Sequence, residues 1–156
     1  LMRKGYRRPG LLWTVDNRAA LRRSGLTDAL ARNGITNPPA VDVALPARFV
    51  SGRQGLSDLL NAGEFDVIVC SSDTLAQGAI VEAQSRGLRV PQDLAVIGFG
   101  DLDFAGDTWP SITTVSVDRH AIGHRAATLL ADRIEGIAPQ DAVVDIGFHF
   151  VERESA

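Results

Sequence analysis

The side chains with chemical potential in this sequence are few, and their spacing argues mostly against catalysis. His120 and His124 stand four apart, one turn of a helix, which can in principle grip a metal ion. No carboxylate stands at a third ligand position, so exposed helix surface is the better reading of the pair. Ser71-Ser72-Asp73 joins a nucleophile type to a carboxylate but lacks the flanking glycines of a nucleophile elbow. No GxGxxG or GxxxxGK[ST] phosphate loop follows any apolar run. The one cysteine, Cys70, ends the run Val67-Ile68-Val69 and reads as a small buried hydrophobe. No cofactor and no metal are expected, and a binding module is favoured over an enzyme.

These residues must be held by elements, and the pattern alternates short apolar runs with longer amphipathic stretches. Strands are expected at 9–15, 40–44, 66–70, 94–99 and 112–117, with strand-like segments over 141–153. Helices are expected at 18–33, 52–62, 73–86 and 119–135. Gly34, Gly63 and Gly87 stand as stop signals, and Ser72 or Asp73 as a cap. Strand–helix alternation predicts an α/β fold, a doubly wound parallel sheet with helices on both faces. In such sheets ligands sit beyond the carboxyl ends of the strands, so the loops after Val15, Ala44, Cys70 and Phe99 are the candidate site on geometry alone. The small residues Gly78 and Ala79 predict close helix–sheet contact.

The chain has 156 residues, 45% hydrophobic and 22% charged, enough for one domain with a real core. A net charge of −3 is a poor footprint for nucleic-acid binding. Neither a signal peptide nor an apolar run of membrane-spanning length is legible, so a cytoplasmic location is expected. The opening Leu1-Met2-Arg3-Lys4-Gly5 carries no targeting logic and reads as the start of a fragment.

From Asp66 onward the chain resembles the effector-binding region of lactose/galactose-repressor family regulators. Asp66-Val67-Ile68-Val69-Cys70-Ser71-Ser72-Asp73-Thr74-Leu75-Ala76-Gln77-Gly78-Ala79 is similar to the family's strand-to-helix stretch. So are Gly87 to Phe99, with its Val90-Pro91 and Gly98-Phe99, then Pro110-Ser111-Ile112-Thr113-Thr114-Val115, and the helix from Gly123 to Gly136. The resemblance implies a periplasmic-binding-protein-like lobe, the C-terminal one of a two-lobed sensor, over residues 1–117. Residues 118–156 would be a crossover segment and helix packing on an N-terminal lobe, with closing strands. Operator DNA would be bound only through a helix-turn-helix that this chain lacks.

The resemblance also implies site residues. Arg22 matches an arginine that bonds ligand hydroxyls or carboxylates; the bland alternative is a solvated helix arginine. Ser72 stands where many members have Asn, and capping is its alternative. Phe49 and Val50 fall where an aromatic often stacks on a sugar, with loop packing as the alternative. Val117 falls at the crossover position. Gly100 and Asp101 stand where the family commonly has two aspartates. Loss of the first removes a buried acceptor and a negative charge, which implies a sugar acid such as gluconate paired with Arg22. A φ > 0 turn explains Gly100 equally well. The Gly-Phe-Gly-Asp form resembles gluconate-utilisation repressors. A homodimer is implied through Gln77, Val81, Phe104 and Trp109, with intramolecular packing as the alternative for the two aromatics. The competing functions are a periplasmic-type sugar-binding protein and an enzyme on a generic doubly wound sheet.

Overall fold

A computed structural model describes residues 1–137 and 143–156. Strands β1 (Pro9–Thr14), β2 (Ala40–Val43), β3 (Val67–Cys70), β4 (Ala95–Gly100), β5 (Thr113–Ser116) and β6 (His149–Val151) form one sheet in the order β2-β1-β3-β4-β5-β6. The first five are parallel. The doubly wound sheet expected from the alternation is present, with an antiparallel edge: β6 pairs with β5, Val115 opposite Phe150. The apolar run of β3 is buried at every position, as a strand covered on both faces requires.

Two apolar layers flank the sheet. On one face α2 (Phe49–Ala62) and α3 (Asp73–Ser85) pack through Leu56, Leu59, Leu75 and Ile80 against Leu12, Ile68, Cys70 and Val96. On the other, α1 (Asn17–Arg32) contributes Ala19, beside Leu11, Trp13, Val67 and Ile97. Gly34 and Gly87 have φ of +82° and +80°, and the glycine stop is the reason α1 and α3 end where they do.

Several expectations are corrected. Helix α2 begins at Phe49, three residues ahead of Gly52, because Arg48 is already extended at the N-cap (φ −132°) and the helix runs through Gly52 and Gly55. Those glycines are buried for packing. A Cβ on Gly52 would stand 2.9 Å from Gly78 Cα, so Gly78 serves helix–helix contact with α2 rather than helix–sheet contact. The closing strand is confined to His149–Val151, and the expected strand-like segment from 141 begins outside the described residues. Helix α4 (Arg119–Ile134) has no buried residue, and Leu130 and Ile134 are 62% and 78% exposed. Among the described residues no helix is long and apolar enough to cross a membrane.

Candidate functional site

The strand order reverses between β1 and β3, and that reversal opens a crevice at the carboxyl ends of the strands. A concavity of about 570 Å³ lies there. Thr14 ends β1 and Asp16 follows it, Ser71 and Ser72 follow β3, Phe99 and Leu102 flank the end of β4, and Val117 follows β5. Helix α1 supplies Arg18, Leu21 and Arg22, and the loop after β2 supplies Leu45 and Ala47. A larger cleft of about 660 Å³, between Gln84, Val90, Trp109 and Glu154, lies at the amino ends of β4 and β5, away from the switch point. Topology favours the first as the ligand site.

Arg22 is placed by α1, whose start Asp16 caps: its Oδ1 accepts from the Ala19 N–H at 2.9 Å. That bond, aided by the Thr14 hydroxyl on Oδ2 at 3.0 Å, holds the Asp16 carboxyl below the usual carboxylate range against partial desolvation. The Arg22 guanidinium carbon lies 4.1 Å from the centre of the Phe99 ring, a cation–π contact. Its Nε and Nη1 reach only backbone carbonyls, of Arg18 at 3.2 Å and Ser71 at 3.4 Å. Partial burial draws Arg22 below the ordinary arginine range, opposed by Asp16 and reinforced by the like charge of Arg18. An arginine remains cationic under such a shift.

Beneath the crevice polar groups bond to one another. The hydroxyls of Thr14 and Ser71 are 3.0 Å apart, and Ser71 Oγ also accepts from the Thr14 N–H. Asp73 is fully buried at the first turn of α3, its Oδ1 accepting from Thr114 Oγ1 at 2.6 Å and its Oδ2 from the Leu102 N–H at 2.7 Å. Ser72 caps α3, its Oγ accepting from the Leu75 N–H at 3.3 Å, so it holds a structural duty while lining the cavity.

The crevice thus brings together Arg22, Ser72 and Val117 of the residues implied by the sequence. Phe49 and Val50 are not among its lining. Both lie in the first turn of α2, and the Phe49 ring meets Phe104 edge-on at 5.6 Å while Val50 is 65% exposed. Ala47, in the loop before, occupies the wall where an aromatic was expected. Gly100 sits between the lining residues Phe99 and Leu102 with φ +121°, so the turn reading holds for it. Asp101 is also outside the lining: its Oδ1 accepts from Arg153 Nη2 at 2.7 Å, which occupies the carboxylate within the protein. Sequence reasoning missed Asp16 and Arg18. The spacing of Arg18 and Arg22, one helical turn apart, was the available signal.

Of the residues assigned to a dimer, Trp109 is 79% and Val81 37% exposed. Phe104 packs against the buried layer beside α2 and α3, as the intramolecular alternative had it. Gln77 Oε1 is buried without a hydrogen-bond partner among the described residues. His120 and His124 are exposed on α4, and no metal-binding cluster exists among the described residues.

The family model for the periplasmic binding protein-like domain matches residues 1–156. The chain is 34% identical over 159 residues to the HTH-type transcriptional regulator GntR of Pseudomonas aeruginosa, an alignment covering 99% of this chain and 46% of that protein. It is 35% identical over 116 residues to the HTH-type transcriptional repressor CytR of Escherichia coli, covering 74% of this chain and 34% of that one. Among solved structures, the transcription regulator GntR from Chromobacterium violaceum superposes with a TM-score of 0.93 at 33% identity, over 99% of this chain and 58% of that one. The transcriptional regulator CelR in complex with cellobiose superposes with a TM-score of 0.92 at 27% identity, over 100% of this chain and 49% of that one. The chain spans less than half the length of these curated relatives.

Proposed function

The chain belongs to the periplasmic binding protein-like domain family, in the branch of lactose/galactose-repressor regulators, and from that premise we propose that it is the effector-sensing part of a transcriptional repressor. In this reading residues 1–117 form one wall of the effector cleft, and the effector is a small sugar acid, gluconate or its phosphate. Helix α4 crosses to a second lobe, which explains why it exposes Leu130 and Ile134, while the closing strand β6 and Ser155 return to the sheet of this lobe. The protein acts in the cytoplasm as a homodimer. It meets operator DNA through a head outside this sequence, and effector binding shifts the balance between two lobe arrangements. The regulators among the relatives favour this over a periplasmic sugar carrier or an enzyme.

The observation that carries the choice of an anion is how charge is used around the crevice. Asp16, Asp73 and Asp101 are each engaged by donors within the protein. Arg22 has only carbonyl contacts longer than 3.1 Å and an aromatic face beneath it. A guanidinium so placed offers its planar fork to a carboxylate. The relative named GntR, at 34% identity, agrees with gluconate without deciding it.

The test is thermal unfolding and titration calorimetry of the intact protein against gluconate, 6-phosphogluconate and neutral sugars. A ligand at about 100 times its Kd adds roughly 2.7 kcal/mol of stability. Arg22→Ala should weaken sugar-acid binding by about 10- to 100-fold, the loss expected of a charge-assisted contact. A protein that answers neutral sugars and ignores both acids refutes the sugar-acid reading.

A further inference from the structure

The closing segment Val151-Glu152-Arg153-Glu154-Ser155 lines no part of the crevice, yet it is bonded into the sheet residue by residue. Ser155 Oγ accepts from the Thr113 N–H at 2.8 Å and donates to the Val96 carbonyl at 2.6 Å. Glu154 accepts from both the N–H and the hydroxyl of Ser111 at 2.9 Å. The Arg153 backbone is clasped by Thr113, whose Oγ1 accepts from the Arg153 N–H at 2.9 Å and donates to its carbonyl at 3.0 Å. Arg153 therefore projects from a fixed base.

Its guanidinium spans the loop between β4 and β5. Nη2 donates to Asp101 Oδ1 at 2.7 Å, where the loop begins, and Nη1 to the Ile112 carbonyl at 2.9 Å, where it ends. The two side chains are only 22% and 25% exposed. Asp101 is an unusual place for such a grip. Its φ is +51° and follows +121° at Gly100, so two consecutive residues have positive φ. Glycine adopts such a φ freely, but a left-handed aspartate costs free energy and persists where surrounding contacts over-determine it. The contacts here are Arg153 on the Asp101 carboxylate, Arg119 Nη2 on the Asp101 carbonyl at 3.1 Å, and Asp73 on the Leu102 N–H. Phe99 and Leu102, on either side of the turn, both line the crevice.

We infer that Arg153 is a positioning residue for the effector site: through Asp101 it holds the Gly100–Leu102 turn in the shape that sets Phe99 and Leu102 into the crevice. The link to the effector rests on the function proposed above, while the hold on the turn stands on the bonds alone. Asp101 accordingly serves the site by being held, not by touching the ligand.

The test uses the intact protein in two arms. In the ligand-free arm, hydrogen exchange is followed at the amides of Leu102, Ala105 and Ile112, the last two bonded to the carbonyls of Leu102 and Ala105 at 2.7 Å. Arg153→Met should speed exchange at these amides by about tenfold or more, the opening expected when a charge-assisted bond is lost. The amides of β3 should keep their rates. Asp101→Asn should behave the same way, the double variant no worse than either single one, and Arg153→Lys should fall between Met and wild type. In the ligand arm, Arg153→Met should weaken binding of gluconate or 6-phosphogluconate by about tenfold. A general speeding of exchange that includes the β3 amides, or additive effects of the two changes, would show a purely structural role and overturn the inference. So would unchanged exchange at all three amides in both single variants. Faster exchange with undiminished affinity removes the link to the ligand. If wild-type protein binds neither acid, the effector reading fails, and the exchange arm still decides whether Arg153 holds the turn.

Discussion

Replacing Gly100 by Asp, and in parallel by Asn, separates two reasons for a glycine at the edge of the crevice. Space is no obstacle, since a Cβ there would meet Asp73 Oδ2 at 3.7 Å and Leu102 Cγ at 3.9 Å, ordinary contact distances. The backbone is the obstacle: φ of +121° lies beyond the left-handed region that Asn and Asp tolerate. Both substitutions should therefore cost about 1–3 kcal/mol in folding stability. For a domain of this size that lowers the melting temperature by roughly 2–12 °C. Only Asp adds a charge. Two unit charges about 5 Å apart at an effective dielectric of about 20 repel by roughly 3 kcal/mol. If the ligand is a sugar acid, its affinity should fall about 100-fold further in Gly100→Asp than in Gly100→Asn. A neutral sugar should show no such gap. The assay is titration calorimetry at pH 8, because Asp73 beside the new carboxyl group favours its protonated form at lower pH. Equal losses for Asp and Asn with gluconate and 6-phosphogluconate refute the electrostatic reasoning and leave the glycine a purely conformational role.

Gly78→Ala should be the most damaging small substitution in the core. The new Cβ would press on the Phe49 carbonyl and stand 2.8 Å from Gly52 Cα, so α2 and α3 must separate. A loss of about 3 kcal/mol, or roughly 6–12 °C in melting temperature, is expected by calorimetry, and a change under 2 °C contradicts it. Trp109→Ser combined with Val81→Ser should turn the proposed homodimer into a monomer by light scattering; a dimer that survives removes this surface from the interface. Asp93 is held down to about 2 by the Arg89 side chain and, next, the Arg89 N–H. Its folded value lies below its unfolded one, so its contribution to stability is present above about pH 4 and lost as pH falls towards 2. Carboxyl NMR titration should show Arg89→Ala returning Asp93 towards 3.8, and an unmoved midpoint would sever the assigned cause.

The sheet was legible because its signals are local. A run such as Val67-Ile68-Val69-Cys70 is apolar because both faces are covered, and Gly34 and Gly87 end helices through conformations only they adopt cheaply. The errors fall where two elements meet. Gly52 suggests a helix start to a reader of one segment. The structure shows a helix interior because Gly78, 26 positions later, needs the room. Phe49 was drawn into the crevice for the same reason, since its partner Phe104 lies in a loop far along the chain. The strand-like segment expected over 141–153 includes the three-residue edge strand at His149–Val151, but its antiparallel direction is a matter of pairing that periodicity does not carry.

At the site, residue type was legible and occupation was not. Arg22, Ser72 and Val117 reach the crevice, and Arg18 could have been added from its position one turn before Arg22. Asp101 looked equally suited, a carboxylate beside the end of a central strand. What excludes it from the crevice is Arg153, 52 positions away, and nothing in the spacing of the two announces that pair. The distinction decides the chemistry. A crevice with an available carboxylate at Asp101 would present an acceptor to sugar hydroxyls and repel an acid. A crevice in which Asp16, Asp73 and Asp101 are all engaged presents Arg22 instead. The preference for an anion therefore rests less on the missing aspartate at Gly100 than on the donors that occupy the remaining ones. Freeing Asp101 by Arg153→Met should erode selectivity for acids over neutral sugars, even though position 101 is not part of the lining.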